Sequence, residues 1–530
     1  MAEVTINYFA QTDFRGKRIP FGIKAEDRAR HVYVIGKTGM GKSCLLENMA
    51  VQDIQNGEGL AFIDPHGKSA DLLLEFVPPE RLKDVIYFAP FDLDHPISFN
   101  IMEDVGADQR HLVANGLMSS FKKIWPDVWS ARMEYILNNC LLALLEYPSS
   151  TLLGVNRLLS DKDYRKQVVD NITDPSVKSF WLDEFAKYNE RYMQEAGDAI
   201  KNKIGQFTAN PLIRNIIGQT KSSFDLREAM DAKKILIVNL SKGRLGEQNA
   251  NLLGGILITK IYLAAMSRAG AGATISQLPH FYLFVDEFQS FVNDSFADIL
   301  SEARKYKLSL TIAHQYIEQM PEEVRNAVFG NIGTTVSFRV GPFDAEVLEK
   351  IYFPTFTKED LVNLGFAQIY LTLMINGVGS SPFSAVTLPP IIQTSDSMKD
   401  RIIKSSRDKY ACSREKVEAE INIWFEPVIK FTAKSEAKTE KPEIKKTFQP
   451  VQTSLPTIPK TNPPPKAFPL KVLKNKAKEV NKNKDELKAF LGEIMTNKKS
   501  KKDLPLPPQT SKKEIPQDVL ENLLNIKSDD

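Results

Sequence analysis

The chain has 530 residues, 42% of them hydrophobic and 25% charged, with a net charge of +3. Those proportions fit a soluble globular chain of several domains and leave ample material for a core. No apolar run reaches the ~18 residues a membrane-crossing helix needs; the best, 252–266, is interrupted by Lys260. Residues 1–10 lack the basic and apolar regions of a secretory signal. Three distant cysteines, Cys44, Cys140 and Cys412, exclude a disulfide framework or a Cys-rich zinc site and point to a reducing, cytoplasmic setting.

In chain order, short apolar β-type runs alternate with helical ones, the pattern of a parallel α/β sheet. Strands are predicted at 31–35 (HVYVI), 60–63 (LAFI) and 85–88 (VIYF), with a helix over Lys42–Gln55 after the first. From 108 to 227 the pattern turns helical, with an apolar stripe through Met133, Ile136, Leu137, Cys140, Leu141 and Leu144. Strands resume at 235–240, 282–285, 308–313 and 335–338, and 369–374 is expected to close the sheet. A helix is expected over 412–425. This divides the chain into a first α/β part at 1–107, an all-helical insertion at 108–227, a second α/β part at 228–395, a C-terminal helical segment at 396–429 and a tail at 430–530. The tail holds 22 Lys against 13 Asp and Glu, and 12 of the 30 prolines. The net +3 is therefore +9 in the tail and −6 elsewhere. So Lys- and Pro-rich a segment is expected to be largely disordered, interrupted by amphipathic stretches at 485–495 and 516–526 that read as transient helix or as docking segments.

Gly36-Lys37-Thr38-Gly39-Met40-Gly41-Lys42-Ser43 is a complete phosphate loop between a strand and a helix. Its glycines let backbone N–H groups converge on phosphate oxygens, and the helix N-terminus adds its dipole. Lys42 is expected to neutralise the β/γ-phosphates and Ser43 to ligate Mg²⁺. Lys37, Thr38, Met40 and Cys44 complete the loop and first helical turn; Cys44 is read as a packed thiol, with a lowered pKa as the alternative. At the end of the strand 282–285, Asp286 is the candidate Mg²⁺ ligand and Glu287 the candidate base that activates water. The 243 residues separating Ser43 from Asp286 are accounted for by the helical insertion. Gln315, after the strand 308–313, is expected to face the γ-phosphate. His314 reads as structural. Asp64 reads equally as a turn-former or as a residue behind the metal.

The stretches IPFGIKAEDRARHVYVIGKTGMGKS, FIDPHGKSADLL and LFVDEFQSFVNDSFADILSEARKYKLSLTIAHQY resemble the HerA/FtsK superfamily of P-loop ATPases. Within it they are most similar to the type IV secretion coupling proteins of the TraG/TraD group. The resemblance spans about 19–390. It implies a RecA-like motor domain with an inserted all-α domain, ATP and Mg²⁺ as ligands, sequence-independent DNA as substrate, a hexamer, and a membrane-protein partner in a secretion machine. It implies Arg304 as an arginine finger reaching a neighbouring subunit's ATP, with Arg325 and Arg339 as rivals. Two departures stand out: Lys68 where many relatives carry an acid, and no N-terminal membrane helices in the sequence, so recruitment is expected through a partner or the basic tail. A basic turn, Lys242-Gly243-Arg244, is a candidate channel loop or an ordinary solvated turn. The leading expectation is an ATP-driven DNA translocase. A motor for protein or pilus export and a nucleotide-gated scaffold with little turnover are the alternatives.

Overall fold

In the computed structural model of the chain, the described residues are 5–13, 16–188, 190–293, 296–393 and 396–426. The expectations for the tail at 430–530, its two amphipathic stretches included, lie outside them. Residues Met1–Phe431 make one compact unit.

The strands are β1 (Ile6–Thr12), β2 (Pro20–Lys24), β3 (Val32–Ile35), β4 (Gly59–Asp64), β5 (Val85–Phe88), β6 (Ile235–Asn239), β7 (Phe281–Val285), β8 (Leu308–His314), β9 (Thr334–Ser337), β10 (Gln368–Thr372), β11 (Met374–Ile375), β12 (Val378–Gly379) and β13 (Phe383–Thr387). All but β11 and β12 join one 11-stranded sheet in the order β2-β1-β13-β10-β9-β3-β8-β7-β4-β6-β5. From β9 to β5 every pairing is parallel. β10, β13, β1 and β2 extend the sheet antiparallel from β9. The expectation that 369–374 closes the sheet is thus corrected: β10 lies inside it. β1 and β13 were missed because their burial is mixed and their partners are remote in sequence.

The parallel strands are buried on both faces, and alternate residues serve the two faces. Val32, Val34, Leu60, Phe62, Ile235, Ile237, Tyr282 and Phe284 pack under the helix Lys42–Gln55 and the helix Lys68–Glu75. Tyr33, Ile35, Ala61, Ile63, Leu236, Val238, Leu283, Val285, Leu310 and Ile312 face the other way. That second core continues without a break into the helical region, which contains no strand between β5 and β6 among the described residues. There the helices Arg110–Ile124 and Ala131–Glu146 pack around Phe121, Trp125, Trp129 and Phe207. Ser130 caps the second helix by accepting from Met133 N–H.

The apolar run at 252–266 is longer than its sequence suggested. It belongs to the helix Glu247–Met266, and the helical stretch Glu247–Gly272 that contains it could by length and composition alone cross a membrane: an 18-residue window has mean hydropathy 1.4. In the fold 72% of that window is buried, and the helix packs against Arg110–Ile124 as a core element. Lys260, which seemed to interrupt it, is buried among these helices, where desolvation lowers its pKa to about 8. The expected helix at 412–425 is Arg414–Phe425, preceded by the helix Lys399–Tyr410.

Candidate nucleotide-hydrolysis site

The phosphate loop leaves the centre of the sheet, between the ends of β8 and β9. Gly36 N–H donates to the His314 carbonyl at 3.3 Å, and Lys37 N–H donates to the Arg339 carbonyl at 2.8 Å. A side chain at Gly36 would collide with Phe338, its Cβ lying 2.5 Å from that residue's Cβ. Gly41 takes φ +113°, a left-handed conformation that turns the loop into the helix Lys42–Gln55. That helix has no side-chain cap and no acid in its first turn. Its free N–H groups and positive dipole end are open to an anion. The Lys42 ammonium bridges the loop, donating to the Gly36 carbonyl at 2.6 Å and the Lys37 carbonyl at 3.1 Å. Burial lowers its pKa, and Glu287 and Asp286 oppose that shift.

The acids emerge two strands away, at the end of β7. Asp286 accepts from the Ser43 hydroxyl at 2.8 Å, which joins the two residues expected to hold a divalent ion. Burial raises the Asp286 pKa; the Ser43 hydrogen bond pulls it down, and Glu287 pushes it up. Glu287 takes φ 49°, ψ 47°, a strained left-handed conformation for a residue with a Cβ. Its carboxylate accepts from the side-chain amides of Gln315 and Gln289. Gln315 also accepts from the Thr38 hydroxyl at 3.1 Å. This amide therefore ties the phosphate loop to the acid. A hydroxyl, a buried carboxylate and an uncapped helix N-terminus fit a nucleotide with Mg²⁺. Lys42 and the loop amides would hold its phosphates, and Ser43 and Asp286 its metal.

Other sequence candidates fall in different places. Asp64 accepts from His66 N–H and Ala70 N–H at 2.7 and 2.9 Å, which shapes the turn after β4. The Cys44 thiol is pushed up to about 11 by burial and by Glu47, so the lowered-pKa alternative is overturned. His314 is fully buried beside Tyr33 and Phe288, and burial lowers its pKa to about 3. Arg304 is exposed on the turn Ala303–Tyr306 before β8, on the sheet edge opposite the phosphate loop. Arg339 lies against the loop of its own subunit, its guanidinium 3.2 Å from Met40 Sδ. Arg325 pairs loosely with Glu322 on the helix Glu322–Asn331, at 3.9 Å.

The basic turn at 242–244 is helical, as Lys242–Leu245. Its Lys242 donates to Ser290 at 2.8 Å, and its Arg244 stacks 3.6 Å above the Phe91 ring. One participant was missed by the sequence reading. Glu47 accepts from Ser69 at 2.6 Å, and the charges of Lys68, Asp286 and Asp64 act on it. Its position four residues after Ser43, on the same helical face, was the available signal. Lys68 is thus the positive charge of an otherwise acidic group.

Comparison with solved structures returns this architecture. The plasmid coupling protein TrwB in complex with ADP and Mg²⁺ aligns at 14% identity and TM-score 0.50, covering 74% of this chain and 97% of that one. TrwB with the GTP analogue GDPNP aligns at 15% identity and TM-score 0.49, over 75% and 97%. VirB4 of Thermoanaerobacter pseudethanolicus aligns at 14% and 0.48, over 73% and 97%. No curated protein matches by sequence. Residues 16–349 match the family described as the type IV secretion-system coupling protein DNA-binding domain, and with more than half of its length so matched the chain belongs to that family.

Proposed function

We propose that this coupling protein is a Mg²⁺-dependent ATPase that moves DNA through a ring of identical subunits. The observation that carries the reading is the Thr38–Gln315–Glu287 bridge beside the Ser43–Asp286 pair. A site that only binds nucleotide needs the loop and Lys42. A site that hydrolyses it also needs a base and a group that couples that base to the γ-phosphate.

Glu287 takes the proton of the attacking water, and Gln315 orients that water while touching the phosphate loop through Thr38. Lys42 moves from the Gly36 and Lys37 carbonyls onto the β/γ-phosphates. When bound, Mg²⁺ neutralises charge on the β- and γ-oxygens. The low-dielectric surroundings of Asp286 strengthen each of these contacts. Arg304 is the group offered to a neighbouring subunit's ATP. Its exposure at the edge away from its own loop supports that role. The helical region at 108–227 is an insertion in the motor, and the chain works in the cytoplasm beside a membrane-protein partner. DNA contacts of such a ring are mostly to phosphate and weaken with salt.

ATP turnover measured with single- and double-stranded DNA, alongside oligomer size, tests the reading. Hydrolysis should rise with DNA and vanish in Lys42→Ala. A second reading, a motor for protein or pilus export, is favoured by the charge of −6 outside the tail. Absence of DNA binding at low salt in the chain truncated after Lys430 would favour it.

A further inference from the structure

The acids and Gln315 occupy one flank of the phosphate loop, where β7 and β8 end. On the opposite flank the loop is met by the segments that follow β9 and precede β10, the latter tied to β13. The turn before β10 is fastened there. Ala367 N–H donates to the Met40 carbonyl of the phosphate loop at 3.3 Å. The Ala367 carbonyl accepts from Thr387 N–H at 2.9 Å and from the Thr387 hydroxyl at 3.4 Å. Gly365 N–H donates to Gln368 Oε1 at 2.7 Å. Ala367 itself takes φ 60°, a left-handed conformation that these bonds hold in place.

Between Gly365 and Ala367 stands Phe366, 75% exposed. The backbone of the next residue, Ala367, is bonded both to the phosphate loop and to β13, while the Phe366 side chain meets water. An apolar ring exposed to solvent gains free energy when a flat apolar partner covers it. Nucleobases stack on aromatic side chains irrespective of sequence, because every base presents a π-face.

We propose that Phe366 is the platform on which the base of the bound nucleotide stacks, a specificity role that rests on the hydrolysis reading above. The phosphates are gripped by the loop. Phe366 distinguishes a nucleotide from a bare polyphosphate, and its one-residue link to Ala367 and Met40 keeps ring and loop in register.

The test uses the full chain and measures dissociation constants by calorimetry for ATP, ADP and inorganic tripolyphosphate. In Phe366→Ala the affinity for ATP and ADP should fall about tenfold while that for tripolyphosphate stays unchanged. Phe366→Trp should restore nucleotide affinity. The emission of its added indole should be quenched by ATP and not by tripolyphosphate. Equal weakening of all three ligands in Phe366→Ala would show that the residue only shapes the loop, and unchanged ATP affinity would show that it makes no contact; either overturns the proposal. A wild-type chain that binds tripolyphosphate and ATP equally well overturns the platform alone. One that binds neither overturns the hydrolysis reading together with it.

Discussion

The two ends of the parallel strands are built from similar residues and used in opposite ways. At the N-terminal ends, buried cations are already paired. Arg28 forms a two-pronged pair with Asp53, at 2.7 and 2.9 Å. Arg81 donates to the carbonyls of Ile54, Glu58 and Lys233. Arg268 is fully buried against Asp231 and the carbonyls of Pro279 and Tyr306. His31 spends both ring nitrogens, one accepting from Leu310 N–H and one donating to the Leu300 carbonyl. At the C-terminal ends, Asp286 and Glu287 stand side by side, Glu287 has a strained backbone, and Lys42 is satisfied only by loop carbonyls. One end is locked by partners it already has; the other is arranged for partners that arrive. Strain and like-charge proximity tolerated at one edge mark it as functional.

The sharpest way to break this contrast is Glu287→Gln. Loss of the base should lower kcat about 10²–10⁴-fold, with the melting temperature and ATP affinity nearly unchanged. A large fall in melting temperature would place this edge among the structural ones. Arg268→Ala should do the reverse. Losing the charge-assisted hydrogen bonds of this buried guanidinium should cost about 1.5–3 kcal/mol, read as a lower urea midpoint, with nucleotide affinity kept in the folded protein.

Acid should act next. His31 is held neutral, and burial lowers its pKa to about 4; His280 behaves alike, and His314 falls to about 3. The unfolded chain takes up these protons near pH 6.5, so it binds more protons than the folded one below that value. The histidines' contribution to stability is therefore full above about pH 6.5 and is lost as the pH falls towards 4, by up to ~3 kcal/mol for His31. Urea unfolding at pH 7.5 and pH 5 reads this; equal stability at both would refute it. The smallest stability effect belongs to Arg304→Ala. Although it shares an edge with Arg268, it is exposed, and its removal should change stability by no more than about 0.5 kcal/mol while lowering turnover of the assembled ring.

The contrast also explains what the sequence could show. The phosphate loop, Asp286, Glu287 and Gln315 were legible because each follows an apolar strand and obeys a local spacing rule. The helix Lys42–Gln55 and the strand β5 were legible with their observed bounds, since burial on both faces leaves unbroken apolar runs. β1, β2 and β13 were not, because half-buried strands at the flank carry polar residues and pair across hundreds of positions. Arg268 had no signal: Asp231 and the Pro279 and Tyr306 carbonyls converge on it only in the folded chain. Lys260 misled, since a lysine inside an apolar run reads as an interruption until the helices around it are seen. Phe366 was silent for a related reason, as nothing near it in sequence belongs to the phosphate loop it is bonded to.

The most direct measurement is the ATPase rate of the full-length protein titrated with single- and double-stranded DNA, with Glu287→Gln measured beside it. Turnover should rise on DNA addition in the wild-type chain and stay at background in Glu287→Gln, which still binds ATP. Turnover indifferent to DNA, or equal in the two proteins, would contradict a DNA-moving ATPase built on this edge of the sheet.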